Sequence, residues 1–111
     1  MMVNLPSKLK SAQCLGFIYT SVYVPNDLDV VKSKLAACVN IVPAITSVYE
    51  WQGKLEEESE LLLIMKTKSS ALNMLKEKVI SLHPYEVPEF IAAPIEYGSE
   101  KYLKWIDTQV I

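Results

Sequence analysis

Apolar and polar positions alternate most regularly in the middle of the chain, between residues 38 and 67. Two β-rich runs in this region are separated by Gln52-Gly53. Glycine in the second loop position suits a two-residue turn that needs a positive φ. The pattern therefore predicts a long antiparallel hairpin. Its predicted register includes the pairs Trp51–Lys54, Tyr49–Glu56 and Ile41–Ile64.

Because side chains alternate across a strand, this register defines two faces of the hairpin. One face is predicted to be apolar near the open end and aromatic and acidic near the turn. Its members are Val39, Ile41, Ile45, Ser47, Tyr49 and Trp51 in the first strand, and Lys54, Glu56, Glu58, Glu60, Leu62, Ile64 and Lys66 in the second. Pro43 has no amide hydrogen, so it predicts an edge strand or a bulge that shifts the register beyond it.

The length of the hairpin predicts assembly. Residues 38–51 extend roughly 45 Å at about 3.3 Å per residue, whereas a domain of this size has a radius of gyration of about 13 Å. The tip should therefore project beyond its own core. Because the tip carries the large side chains Val48, Tyr49, Trp51 and Leu55, a neighbouring subunit is the natural cover, and we expect an obligate oligomer.

Shorter patterns predict the remaining elements. These are a strand over 14–24, a helix over 28–37, a helix from Ser69 or Ser70 to about Leu82, a strand over 90–97 and a short C-terminal helix. With the hairpin they give the order βαββαβ plus a helix, which predicts an α+β, ferredoxin-like sandwich. We divide the chain into a flexible N-terminal segment, 1–13, and a single domain, 14–111.

Composition narrows the functional classes. The 111 residues are 50% hydrophobic, which is enough for one core. A net charge of −2 does not indicate the basic surface that nucleic-acid binding requires. No apolar run approaches the roughly 18 residues of a membrane span. All 11 basic residues are lysine, which excludes phosphoryl chemistry at an arginine clamp. The two cysteines are expected to be reduced, as in a cytoplasmic protein.

Several motifs, in this order, resemble the CutA divalent-cation tolerance family. They are LAACVN at 35–40, ITSVYEW at 45–51, IMKT at 64–67, HPYEVPE at 83–89 and YLKWI at 102–106. Together they cover about residues 14–107, and the hairpin is similar to that of animal members. In the family the first helix is roughly two turns longer than the one predicted here.

The resemblance implies a homotrimer of ferredoxin-like subunits whose hairpins pair with strands of their neighbours. It also implies a link to tolerance of copper and other divalent metals. For animal members it implies, in addition, a link to the anchoring or processing of acetylcholinesterase. None of these links comes with an established catalytic reaction.

The candidate metal ligands are Cys38, His83 and Glu86. The imidazole of His83, the only histidine, suits copper or zinc, with Glu86 or Glu89 as an oxygen ligand; capping of the preceding helix is the alternative. The resemblance suggests Cys38 as a soft ligand for copper, and packing as a small hydrophobe is the alternative. A glutamate run either gathers divalent cations weakly or forms a solvated face: Glu56, Glu57, Glu58 and Glu60.

A second candidate site is a cleft between subunits. Its polar and aromatic members are Tyr49, Trp51, Glu60, Lys66, Tyr85 and Glu89. Lys66 ends an apolar run and, if buried, needs a carboxylate partner, for which Glu86 and Glu89 are candidates. The contacts would serve either as an intersubunit salt bridge or as a ligand pocket.

The chain shows no Ser-His-Asp, Cys-His or glycine-rich phosphate pattern, so we predict no enzymatic activity. The predicted function is binding of copper or another divalent cation in metal tolerance. The alternatives are a trimeric scaffold for a partner enzyme and a sensor of a small ligand at the intersubunit cleft.

Overall fold

A computed structural model describes residues 14–21, 27–82 and 87–111 of the chain. The elements are β1 (Cys14–Ser21), α1 (Asp27–Lys32), β2 (Cys38–Trp51), β3 (Lys54–Lys68), a 3₁₀ turn (Ser69–Ala71), α2 (Leu72–Leu82), β4 (Phe90–Pro94) and α3 (Glu100–Gln109). The predicted N-terminal segment 1–13 lies outside the described residues, as do residues 83–86.

The four strands form one antiparallel sheet in the order β2-β3-β1-β4. This confirms the predicted α+β class and places β2 and β4 at the edges. β3 pairs with β2 along the whole hairpin, but its described pairing with β1 begins only at Leu61. Within the described residues, the turn-proximal half of the hairpin therefore stands as a two-stranded ribbon.

The register near the turn is as predicted. Trp51 lies opposite Lys54, and Tyr49 lies opposite Glu56. Gln52 and Gly53 have φ angles of 51° and 79°, and two positive φ angles are what the two-residue turn of a right-twisted hairpin requires.

A bulge changes the register farther from the turn. The pairing shifts between Val42 and Ile45, so that Ile41 lies opposite Leu63 and the predicted Ile41–Ile64 pair is wrong. The extra residue falls at Pro43-Ala44, where proline gives no hydrogen to the ladder and Ala44 has a φ of 58°. Beyond the bulge every side chain of β2 changes face. Val39 and Ile41 therefore do not share a face with Tyr49.

The helices cover one face of the sheet near the open end of the hairpin. Leu63 and Met65 are fully buried on that face. Their partners in this cluster are Val30, Leu35, Ala36, Leu75 and Val79. A second cluster holds α3 through Ile106 and Val110, which pack on Ala37 and Ala71. Burying one such aliphatic side chain contributes about 1.5–3 kcal/mol, and these contributions are concentrated away from the hairpin tip.

α1 ends five residues earlier than the predicted helix over 28–37. Lys34 has a φ of 63°, its N–H donates to the Val31 carbonyl at 3.0 Å, and the N–H of Leu35 donates to the Val30 carbonyl at 2.9 Å. These two bonds form a Schellman C-cap. Val30 is buried and Val31 is exposed, so α1 packs on the core through Val30.

β4 and α3 also differ in detail from the predicted strand over 90–97 and the C-terminal helix. β4 stops at Pro94, and α3 begins after Ser99, whose hydroxyl accepts from the N–H of Tyr102 at 3.3 Å. Ile106 is fully buried. Tyr102, by contrast, is 41% exposed.

Candidate functional site

Most of the candidate residues lie on the hairpin face that points away from Leu63 and Met65, which we call the site face. Its members in β2 are Cys38, Asn40, Val42, Ile45, Ser47, Tyr49 and Trp51, and in β3 they are Lys54, Glu56, Glu58, Glu60, Leu62, Ile64 and Lys66. The bulge exchanges the predicted members Val39 and Ile41 for Cys38, Asn40 and Val42.

Lys66 belongs to a polar cluster at the open end of the site face. It lies opposite Cys38 in the register, and its ammonium group donates a hydrogen bond to the side-chain oxygen of Asn40. The thiol of Cys38 donates to the same oxygen at 3.8 Å. Sequence reasoning missed Asn40, because the predicted register placed it on the opposite face. Pro43 in a long strand was the sequence signal for a bulge, but a proline does not show which neighbouring residue is the additional one.

Cys38 is a free, half-buried thiol. The ammonium of Lys66 bonds to the same amide oxygen as the thiol, and a positive charge disfavours a cation beside it. A divalent ion bound at Cys38 and Asn40 must therefore displace Lys66. Among the side chains that the structure describes, those of residues 29–82 and 87–111, no group of three His, Cys, Asp or Glu residues could hold a metal ion. His83 and Glu86 lie outside these ranges, so the predicted set Cys38, His83 and Glu86 stays a prediction.

Carboxylates and a tyrosine form a second cluster near the tip of the site face. Glu56, Glu58 and Glu60 occupy alternate positions of β3. Desolvation raises the pKa of Tyr49 from its usual value, and the hydrogen bond from its hydroxyl to Glu58 and the negative charges of the three glutamates raise it further. Glu60 is only 5% exposed, whereas Glu57 points to the other face and is exposed. The run is therefore not a uniformly solvated surface.

The predicted cleft residues fall into separate groups. Tyr49, Trp51, Glu60 and Lys66 share the site face, but Glu60 and Lys66 are six residues apart, or roughly 20 Å along an extended strand. Glu89 is exposed just before β4, and Tyr85 lies outside the described residues. The cleft itself, as a contact between subunits, stays a prediction.

The hairpin tip exposes large apolar side chains, as predicted. Val48 is 61% exposed, Trp51 is 42% exposed and Leu55 is 78% exposed. The radius of gyration is 14.6 Å and the longest extent is 44 Å, whereas a compact domain of this length has a radius of gyration of about 13 Å. The hairpin therefore overhangs the core. The oligomer inferred from that overhang stays a prediction.

Comparison with known proteins gives a consistent family match. The family model described as CutA1 divalent ion tolerance protein matches residues 27–109. The Xenopus laevis protein CutA homolog is 60% identical over 76 residues, which are 68% of this chain and 50% of that protein. The Thermus thermophilus divalent-cation tolerance protein CutA is 55% identical over 76 residues, which are 68% of this chain and 74% of that protein.

A solved structure shows that the similarity extends to the fold. The crystal structure of CutA from Xylella fastidiosa superimposes with a TM-score of 0.84 at 34% identity, covering 88% of this chain and 98% of that chain. The matched region nevertheless spans only about half the length of the first curated relative. None of the described helices is long and apolar enough to cross a membrane.

Proposed function

Because the chain belongs to the CutA1 divalent ion tolerance family, we propose that it binds copper or another divalent cation and so contributes to metal tolerance. The observation that carries this proposal is the family match over residues 27–109. The proposed role is binding and not catalysis. We propose that the binding species is a ferredoxin-like homotrimer in the cytoplasm.

The overhanging hairpin supports the trimeric part of the proposal. Val48, Trp51 and Leu55 expose a large part of their side chains at its tip, and exposed apolar surface of this kind is typical of an interface. β2 and β4 also leave two sheet edges open among the described strands. Unpaired edges are ready to bind another chain.

We propose Cys38, His83 and Glu86 as the ligands of the divalent cation. A thiolate and an imidazole suit copper, and a carboxylate adds an oxygen ligand. Cys38 supports the proposal because it is a free thiol that is only half buried. Lys66 is the competitor of the cation, because its ammonium group occupies the Asn40 oxygen next to the thiol.

The test is native mass spectrometry of the protein during a titration with Cu²⁺ against a competing chelator. The wild type is expected to be a trimer that retains a fixed number of copper ions. Cys38→Ser and His83→Ala should lose this copper, whereas Cys14→Ser, the matched change at the other cysteine, should retain it. Lys66→Gln should bind copper more tightly, since it removes a positive charge next to the thiol.

Two results contradict the proposal. Complete removal of copper from the wild type by the chelator would show that metal association is incidental. A wild type that is monomeric at micromolar concentration would contradict the proposed trimer.

A second candidate function is that of a scaffold for a partner enzyme, such as the acetylcholinesterase link implied for animal members. The exposure of Val48 and Leu55 at the tip favours it, since such side chains can bury themselves against a partner as well as against another copy. Val48→Ser with Leu55→Ser should then abolish capture of acetylcholinesterase, and each chain should still bind its copper, because neither side chain is one of the proposed ligands. Unchanged capture would rule out the tip as the partner site.

A further inference from the structure

The exposed side of α3 carries an aromatic pair bordered by lysines. The rings of Tyr102 and Trp105 stack with their centroids 5.6 Å apart, and the two side chains are 41% and 42% exposed. Lys101 and Lys104 are exposed as well, and at 3.6 residues per turn they border the aromatic pair on its solvent side. We call these four residues the α3 surface.

The hairpin tip presents a matching set on the face opposite the site face. Val48 lies opposite Glu57 and Glu50 lies opposite Leu55, so the two apolar side chains are diagonal neighbours on one face. Val48 is 61% exposed, Leu55 is 78% exposed, and both glutamates are exposed. We call these four residues the tip surface.

The two surfaces are complementary. Each has two large exposed side chains with apolar surface, and the two carboxylates of the tip surface are opposite in charge to the two ammonium groups of the α3 surface. Lys104 also forms a salt bridge of 3.4 Å to Glu100, but a pair as exposed as this one contributes little and can exchange partners. We propose that the tip surface of one copy docks on the α3 surface of a second copy, which rests on the homotrimer of the proposed function. Apolar contact would supply affinity, and the charges would fix the register of the interface.

The contact can form only between two copies. Lys68, the last residue of β3, forms a salt bridge of 3.4 Å to Asp107 and so holds α3 near the open end of the hairpin. The tip is at the other end of β3, which is 15 residues long, or roughly 46 Å at about 3.3 Å per residue. The tip surface of each copy would thus dock on one neighbour, and the α3 surface of each copy would bind the tip surface of another. Such a heterologous contact closes into a ring when the rotation permits it.

The experiment reverses the charges on each surface and then on both. One variant is Glu50→Lys with Glu57→Lys, the second is Lys101→Glu with Lys104→Glu, and the third combines all four changes. Native mass spectrometry gives the assembled fraction, and the urea concentration that halves this fraction gives the strength of assembly. Glu77→Lys, on the exposed side of α2, is the control for a charge change elsewhere.

Each two-residue reversal is expected to weaken assembly by about tenfold or more, because like charges then face each other across the interface. The combined variant should return to within about threefold of the wild type, since coupling between contacting residues is measured by such a cycle. Glu77→Lys should behave as the wild type.

Three results would overturn the inference. If the wild type is assembled and neither reversal weakens it, the α3 surface faces solvent or a different partner. If both reversals weaken assembly but the combination does not recover it, the two surfaces do not meet. A monomeric wild type would contradict both this inference and the proposed trimer. The first two results would contradict only the inference and would be compatible with the proposed trimer.

Discussion

Thr67 shows how one hydroxyl group can hold two elements together. Its side chain is fully buried, and its Oγ1 donates to the carbonyl of Leu35 at 2.6 Å. The N–H of Ala37 donates to the carbonyl of Lys66 at 2.8 Å beside it. The connection from α1 to β2 is thereby fastened to β3, next to the cluster of Cys38 and Lys66.

We predict that Thr67→Val lowers the free energy of unfolding by about 1–3 kcal/mol, because the buried carbonyl of Leu35 loses this donor while the shape of the side chain is kept. Urea denaturation at neutral pH measures the loss. Thr108→Val removes a similar bond, to the Trp105 carbonyl at an exposed position, and should cost less than about 0.5 kcal/mol. Equal losses in the two variants would contradict the role of burial.

Tyr49 is the residue whose ionisation reports on the acidic cluster. Because desolvation and then the bond to Glu58 raise its pKa, Glu58→Gln should lower that pKa toward the usual value for tyrosine. Ultraviolet titration of the tyrosinate in wild type and variant measures the change, with Glu77→Gln as the control. An unchanged titration would show that Glu58 does not act on Tyr49.

The raised pKa of Tyr49 has a defined consequence for stability. Above the ordinary tyrosine pKa of about 10 the unfolded chain loses its proton before the folded chain does. The folded state therefore binds more protons, and the contribution of Tyr49 to stability, fully present below that pH, is lost as the pH rises through the folded pKa. In Glu58→Gln this loss should begin at the same pH and be smaller.

At the scale of elements, the bulge in β2 decides which side chains meet. It adds one residue at Pro43-Ala44, and Ala44 adopts a left-handed φ of 58°. This conformation costs a residue with a Cβ roughly 1–2 kcal/mol. The bulge that strains Ala44 also brings Val39 onto the core and Asn40 to Lys66. These contacts offset the cost of the strained conformation.

We predict that Ala44→Gly stabilises the protein by about 0.5–1 kcal/mol, since glycine adopts a positive φ without strain but gains freedom in the unfolded chain. Thermal and urea unfolding both measure the gain. Ala93→Gly, in β4 and also exposed, lacks a positive φ and should destabilise by a similar amount. A loss of stability in Ala44→Gly would show that the bulge is not strained.

At the scale of the whole molecule, the core and the open surfaces lie on different parts of one sheet. The helices cover the face of Leu63 and Met65. On the other side of the sheet Ile91 of β4 lies in register with Ile18 and, through it, with Ile64 of the site face. Ile91 is 51% exposed in the single chain. Such a position suits contact with another copy.

We predict that Ile91→Asp prevents assembly while the single chain still folds, because the charge would be buried in the interface but stays half-exposed in the monomer. Sedimentation velocity measures the assembly, and circular dichroism measures the fold. Met74→Asp, at a position of α2 that is 52% exposed, is the matched control and should assemble normally. Assembly of Ile91→Asp as wild type would place the interface elsewhere.

The sequence by itself determined the hairpin, its two-residue turn and its exposed tip. These are local features, since alternation along a strand and the backbone demands of Gln52-Gly53 involve only neighbouring residues. The family resemblance was likewise readable, because its motifs are short and follow one another in order.

Only the tertiary structure decided the phase of β2 beyond Pro43 and, with it, the partners of Lys66. A proline shows that a ladder bond is missing, but the residue that bulges is chosen by the fit of both hairpin faces against the rest of the fold. Because the side-chain period of a strand is two, that single extra residue moves Cys38 and Asn40 to the site face and Val39 to the core. α1 ends at Lys32 for a similar reason, since the cap that stops it lets Leu35 and Ala36 enter the core.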